Sequence, residues 1–147
     1  MRTYCIFTAI TYVWLLTVIS CTTDNPLIGT WNVITYTDPF GDTNEAITVS
    51  SGEIFTLQFH NNSFFSFTTD CNTISGEFAL SGKQIHFLNL YATEIACDKV
   101  IVERSVKSQL PVVDSYDLTN DSILYLYGKQ GNVLMKLVKA QNKLHNI

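Results

Sequence analysis

The sequence has little charge and no cluster of basic residues. Charged side chains make up 15% of its 147 residues, and the formal net charge is −4. The lysines and arginines occur singly along the chain. Because neutralising a nucleic-acid backbone requires clustered Lys and Arg, we expect no nucleic-acid partner. The low charge and the 46% hydrophobic content favour a packed core over a disordered chain.

Patterns that carry catalysis or metal binding are also missing. The sequence has no Cys-x-x-Cys pair, and its three histidines, His60, His86 and His145, are far apart. We therefore expect no zinc site. Ser51-Gly52 and Ser75-Gly76 lack the Gly-x-Ser-x-Gly setting of a nucleophilic serine. These absences predict a protein that is not an enzyme and that holds no metal and no cofactor.

The N-terminal segment differs from the rest of the chain. Arg2 precedes the run YCIFTAITYVWLLTVIS, which carries no charge and ends at Ser20. One basic residue, an apolar stretch and a final small residue are the pattern of a secretory signal. The tetrapeptide Val18-Ile19-Ser20-Cys21 resembles a bacterial lipobox. An uncleaved transmembrane anchor is the alternative, although the run is short for a bilayer and is diluted by threonines.

These features predict three N-terminal parts: a lipoprotein signal peptide over residues 1–20, a lipid anchor on Cys21, and a tether over residues 21–26. The expected location is the bacterial cell envelope, with the membrane reached through the lipid. Thr22, rather than Asp, follows Cys21, and resemblance to enterobacterial sorting then favours the outer membrane.

The four cysteines separate by position. Cys5 lies in the predicted signal and Cys21 is the predicted lipidation site, which leaves Cys71 and Cys97. In an oxidising envelope we expect these two to form a disulfide. Two free buried thiols are the alternative, since free cysteine is among the most buried residue types.

The chain after Pro26 shows short β-strands separated by turns. Apolar positions alternate through LIGTWNVITYT, where Trp31 is predicted to lie in the core. Residues 38–46 combine Pro, Gly, Asp and Asn and predict a loop. Further strands are predicted at residues 54–60, 64–69, 76–80, 85–91, 113–118, 123–127 and 133–138.

One helix is predicted over residues 98–110, with Asp98 as its N-cap. Glu103 precedes Val106 and Leu110 by three and seven positions, so it shares their packing face and is predicted to be partly buried. A lone carboxylate without an acid/base partner favours a structural role, with a hydrogen bond from the sheet backbone or a tyrosine.

Together these elements predict a mainly β domain over residues 27–140, followed by a tail over 141–147. About eight strands and one helix are typical of a strongly curved antiparallel sheet or small barrel with the helix covering an open edge or end.

Several segments resemble the META domain of the HslJ-like heat-inducible envelope proteins. LIGTWNVITY is similar to the opening strand, DCNTISGEFAL to the Gly-Cys-Asn segment, YATEIACD to the Thr-x-x-x-Cys segment, and VDSYDLTNDSILYLYGKQGNVLMKL to the closing strands. Asp70 stands where the family usually has Gly. The resemblance implies the fold, an envelope location and a loose link to stress tolerance; it implies no reaction.

Three functions remain open at this point. The first is a non-enzymatic, lipid-anchored envelope protein. The second is a lipocalin-like carrier, because GTW also resembles a lipocalin opening; its cavity would be lined by Phe55, Phe59, Phe65, Phe67, Phe78 and Phe87, which otherwise fill the core. The third is an interaction module that uses Tyr125 and Tyr127 on one face of a strand. The first two functions differ in the barrel interior that they predict: an open cavity for the carrier and a filled core for the envelope protein.

Overall fold

The computed structural model describes residues 25–41 and 45–141. The predicted signal, the predicted lipidation site Cys21, most of the tether and residues 142–147 of the predicted tail lie outside this part. The strands are β1 Gly29–Thr37, β2 Ala46–Thr48, β3 Thr56–Phe59, β4 Phe64–Thr68, β5 Thr73–Ser81, β6 Gln84–Ala92, β7 Val113–Thr119, β8 Ile123–Gly128 and β9 Val133–Lys139. Helix α1 spans Ile101–Gln109 and continues as a 3-10 turn over Leu110–Val112.

The sheet is antiparallel throughout and closes on itself. Each strand from β3 to β9 pairs with the next, and β9 returns to pair with β1. Eight strands therefore form a barrel, while the short β2 attaches to the end of β1. Closure removes free sheet edges, which otherwise invite pairing with other chains. The predicted small barrel with one helix is confirmed.

Side chains fill the barrel interior. Trp31, Leu57, Phe67 and Leu126 have no exposed surface, and Trp31 donates its indole N–H to the Leu27 carbonyl at 2.7 Å. All six phenylalanines considered as cavity-lining are at most 6% exposed. The Phe59 ring contacts the Phe78 ring edge-on and stacks with the Phe87 ring. The Phe65 ring contacts the Phe87 ring edge-on. These aromatics belong to the core, as their alternation along the strands indicates.

The barrel is weakest between β6 and β7. Only Gln84 and Ser115 pair in the ladder there, whereas β5 and β6 pair over most of their length. Beyond this point the 3-10 turn packs against β6, and α1 buries Val102 and Val106 in the core. The predicted covering helix is thus present and closes the opening that β7 leaves.

A bulge in β6 depends on Gly76 of β5. The register shifts between Ser75 and Glu77, where β6 has Asn89 at a φ of 52°. A Cβ added to Gly76 would lie 2.6 Å from the Leu88 carbonyl oxygen. A side chain at this position would therefore push the two strands apart, which explains the glycine.

The antiparallel order assigns the connections to two ends of the barrel. The N-terminal end holds the start of β1 at Gly29, the end of β3 at Phe59 and the end of β9 at Lys139. The helix end holds α1 and the segments between β4 and β5 and between β6 and α1.

Across residues 25–41 and 45–141, α1 and the 3-10 turn fall short of the length and apolarity that crossing a membrane requires.

The helix starts later than the sequence predicts. Asp98 was the expected N-cap, but α1 begins at Ile101 after Val100, and Asp98 is exposed. The first amide groups are instead bound by a carboxylate from another segment. Strand β2 was not predicted. It begins at Ala46, the last residue of the predicted loop, and its three residues are all exposed and pair only with β1.

Candidate functional site

Three consecutive residues at the helix end attach α1 and the segment before it to the barrel. Asp70, Cys71 and Asn72 lie between β4 and β5, and each makes a different kind of bond. We call them the clamp. Because they directly precede β5, the position of α1 is fixed relative to the sheet.

Asp70 supplies the carboxylate that begins the helix. Its Oδ2 accepts the Val102 amide at 3.0 Å, and its Oδ1 accepts the Glu103 amide at 3.0 Å. These amides belong to the first turn, which has no partner within the helix. A negative charge also interacts favourably with the N-terminal end of the helix dipole. Asp70 therefore acts as a cap although it lies 32 residues before Val102.

Cys71 is bonded to Cys97 in a disulfide. Their Cα atoms are 6.0 Å apart and 26 residues apart in the sequence, so the structure joins the pair that the sequence predicted. Cys71 precedes β5 and Cys97 lies between β6 and α1. The bond therefore ties the connection that leads into the helix to the start of β5.

Asn72 is buried and uses both ends of its side-chain amide. Its Oδ1 accepts the Thr93 hydroxyl at 2.7 Å and the Ile95 amide at 2.8 Å. Its Nδ2 donates to the Ile95 carbonyl at 3.1 Å and to Glu103 Oε2 at 2.9 Å. An amide has two donor and two acceptor sites, so Asn72 is fully satisfied and connects three segments of chain.

Glu103 is 5% exposed, as the helical spacing predicts. Its partners differ from the expected sheet backbone or tyrosine: Asn72 donates to one oxygen and Lys107, one turn later in α1, donates to the other. Burial alone would raise the pKa of the Glu103 carboxyl. The hydrogen bonds from Lys107 and Asn72 outweigh that effect and hold its pKa below the ordinary value. Glu103 is therefore a charged, paired group inside the helix packing face.

A second polar contact joins α1 to the chain after β1. Asp38 is 7% exposed and accepts the Ser105 hydroxyl at 2.9 Å. The Arg104 guanidinium lies 3.7 Å from the Asp38 carboxylate and 4.8 Å from the centre of the Phe40 ring. The start of the predicted loop is thus bound to the helix.

Between these contacts lies an open groove of about 650 Å³. Its apolar rim includes Phe40, Ile95 and Val100, which are 42 to 61% exposed. Its cations are Arg104 and Lys107, whose side chains are about half exposed, while the carboxylates they face are largely buried. The groove can accept a partner that combines apolar and negatively charged groups.

The predicted site residues come together only in part. Cys71, Cys97 and Glu103 meet at the clamp, while Cys21 lies outside the described residues. Among residues 25–41 and 45–141, no group of three His, Cys, Asp or Glu side chains is placed to bind a metal. Asp38, Asp70 and Asn72 were missed as functional positions, although Asp70 stood out as a departure from the usual Gly.

The model of the META domain family matches residues 26–141, which include the whole barrel, the clamp and α1. The chain belongs to the META domain family. No curated protein sequence matches the chain significantly.

Solved structures share the META fold at low sequence identity. An NMR structure of a protein from Burkholderia xenovorans is 17% identical with a TM-score of 0.57, and the match covers 96% of this chain and 99% of that one. A crystal structure of a DUF4847 family protein from Bacteroides vulgatus is 14% identical with a TM-score of 0.52, covering 78% and 96%. At these identities the likeness concerns the fold alone.

Proposed function

We propose that this META domain protein is a lipid-anchored protein of the bacterial envelope that acts by binding, or by supporting the envelope under stress, and has no enzymatic activity. The observation that carries the proposal is the Cys71–Cys97 disulfide. Structural disulfides persist in oxidising compartments, and the lipobox ending at Cys21 gives a route of export to one.

The position of Asn25, the first residue that the structure describes, supports a simple arrangement at the membrane. Only residues 22–24 separate Cys21 from Asn25, so the two Cα atoms are at most about 14 Å apart. The lipid would therefore hold the N-terminal end of the barrel near the bilayer. The groove at the helix end then faces away from the membrane, where another envelope component can reach it.

The polar groups of the site support binding over catalysis. The side-chain amide of Asn72 is fully used, both oxygens of Glu103 accept hydrogen bonds, and Asp70 is used by the helix amides. A general acid or base must reach a proton on the substrate. Groups that serve the fold in this way are poorly placed for that task.

The filled interior disfavours the lipocalin-like carrier. A carrier of that type holds its ligand within the barrel, and this barrel is occupied by its own aromatic and aliphatic side chains. The space described above lies outside the strands, beside α1.

Metabolic labelling with a palmitate analogue tests the anchor. We expect the wild type to incorporate the label and Cys21→Ala to lose it, because the Cys21 thiol is the predicted acceptor. Cys97→Ser is the matched control and should keep the label. Equal labelling of wild type and Cys21→Ala would contradict the proposal. Fractionation of labelled cells should place the wild type in the outer membrane.

A further inference from the structure

We propose that the outer face formed by β1, β8 and β9 at the N-terminal end of the barrel rests on the surface of a bilayer that contains anionic phospholipid. This inference rests on the lipid anchor proposed above. It adds a second contact, made by side chains of the folded domain.

The face is an apolar groove with two lysines. A surface groove of about 600 Å³ is lined by Ile34, Ile123, Val138, Lys136 and Lys139, together with small and polar neighbours. Ile34 lies at the register shift in β1 and is 38% exposed. The apolar side chains therefore lie on the outside of the barrel rather than in its core.

Aromatic rings extend the groove along β8. Tyr125 and Tyr127 stack with ring centres 6.3 Å apart, and the Lys136 ammonium lies 5.7 Å from the centre of Tyr125. At the N-terminal end of the barrel, the Lys139 ammonium lies 5.4 Å from the centre of the ring of Trp31, a core residue of β1. Tyrosine and long basic side chains combine an apolar body with a polar end, which suits the boundary between lipid and water.

The charge of the residues that line this groove favours contact with an anionic membrane surface. The lining of this groove carries two lysines and no acidic residue, although the whole chain has a net charge of −4. Of the two acidic residues in the neighbouring strand β7, Asp114 and Asp117, Asp117 is held by Lys83 at 2.9 Å. Basic residues near an anionic bilayer are attracted to it, and one lipid anchor is strengthened by a second interaction of this kind.

The tether brings this face to the membrane. Ala140, which lines the groove, donates its amide to the Thr30 carbonyl at 2.8 Å, so the groove lies beside the first residues of β1. With Asn25 within about 14 Å of the lipidated residue, the face has a high local concentration at the lipid surface.

Lysine footprinting on the full-length lipoprotein tests the inference. The protein is placed in detergent, in phosphatidylcholine vesicles, and in vesicles of phosphatidylcholine with phosphatidylglycerol. Amines are acetylated briefly and quantified by mass spectrometry. We expect acetylation of Lys136 and Lys139 to slow about fivefold on the anionic vesicles. Lys99, in the segment before α1, and Lys129, in the turn between β8 and β9, both lie at the helix end and should react at unchanged rates.

A pair of variants tests the apolar part of the contact. Ile123→Asp should remove most of the protection of Lys136 and Lys139. Val112→Asp, at an exposed position of the 3-10 turn at the helix end, should leave the protection intact. Unchanged acetylation of Lys129 shows that each variant is folded like the wild type.

Flotation of the same vesicles separates this inference from the anchor. If the protein floats but Lys136 and Lys139 react as in detergent, the membrane contact is wrong and the anchor stands. If the protein does not float, both are wrong. Protection that rises with protein concentration in detergent would assign the face to a second copy of the chain. Equal protection of all four lysines would also overturn the inference.

Discussion

Glu103 shows at the scale of one residue how a charge is kept inside a packed helix face. A buried carboxylate is tolerated when its oxygens are paired, and here Asn72 and Lys107 each bind one oxygen. The lowered pKa means that the folded protein binds the Glu103 proton less tightly than the unfolded chain does. The charge of Glu103 therefore contributes to stability.

We predict an acid-dependent loss of stability that depends on Glu103. A group with a lowered folded pKa stabilises the protein above its unfolded pKa, about 4.5 for this carboxyl, and this contribution is lost as the pH falls through the folded pKa. The free energy of unfolding, measured with urea from pH 7 to pH 3, should decrease in the acid range. Glu103→Gln should weaken that decrease and cost about 1 kcal/mol at pH 7.

Lys107→Met provides the matched control for this prediction. It removes the ammonium that lowers the pKa of Glu103 and keeps the aliphatic part of the side chain. The acid-dependent loss of stability should then be smaller than in the wild type, because the folded pKa of Glu103 moves closer to its unfolded pKa. Identical pH profiles for wild type, Glu103→Gln and Lys107→Met would show that this charge has no part in acid stability.

The burial of Glu103 was predictable, and its partners were not. Its spacing from Val106 and Leu110 places it on the packing face of α1, which is a local property of the sequence. Asn72 lies 31 residues earlier, and its proximity depends on how β5 and α1 meet in the folded barrel. Local patterns show which face a residue occupies, whereas tertiary structure decides which group it binds.

Helix α1 depends on the rest of the domain for its start. Ile101 and Val102 open the helix, and β-branched residues are poor helix formers. Val100, which precedes them, makes no side-chain hydrogen bond to the helix. The Asp70 carboxylate supplies what the local sequence lacks.

We predict that Asp70→Ala destabilises the domain while Asp98→Ala does not. Loss of a helix cap costs about 1 to 2 kcal/mol, and Asp70 binds two amides of the first turn. Asp98 is exposed before the helix and should change the free energy of unfolding by less than about 0.5 kcal/mol. Urea unfolding of both variants at pH 7 decides between them. If Asp98→Ala lowered the free energy of unfolding more than Asp70→Ala, Asp98 would be the residue that caps α1, as the sequence alone indicates.

The strands differ in how well their sequences identify them. In β3, β4 and β8 the buried positions alternate because apolar residues alternate in the sequence. The predicted ends of these strands therefore lie within about two residues of the observed ends. β2 has no buried residue and exists because it pairs with β1. β5 begins at Thr73, before the predicted start at Gly76, since Ile74 packs into the core.

At the scale of the whole molecule, closure of the barrel depends on contacts beyond the ladder. β6 and β7 share one ladder pair, supported by the Tyr116 amide bound to the Lys83 carbonyl at 2.9 Å. On the helix side of this seam, the clamp and the Cys71–Cys97 disulfide hold the connection from β6 to α1. The disulfide therefore secures the part of the barrel where strand pairing is weakest.

We predict that reduction of the disulfide lowers the melting temperature of the domain by about 10 to 15 °C. Closing a loop with a separation of 26 residues contributes about 3.5 kcal/mol by restricting the unfolded chain, and each kcal/mol shifts the melting temperature by several degrees in a domain of this size. Calorimetry of the unlipidated mature chain, with Cys21 replaced, should show this decrease on adding reductant. Cys71→Ser/Cys97→Ser should melt at the reduced temperature whether or not reductant is present. Two free thiols in the unfolded, unreduced protein, together with a melting temperature that reductant leaves unchanged, would show that the pair is not bonded in solution.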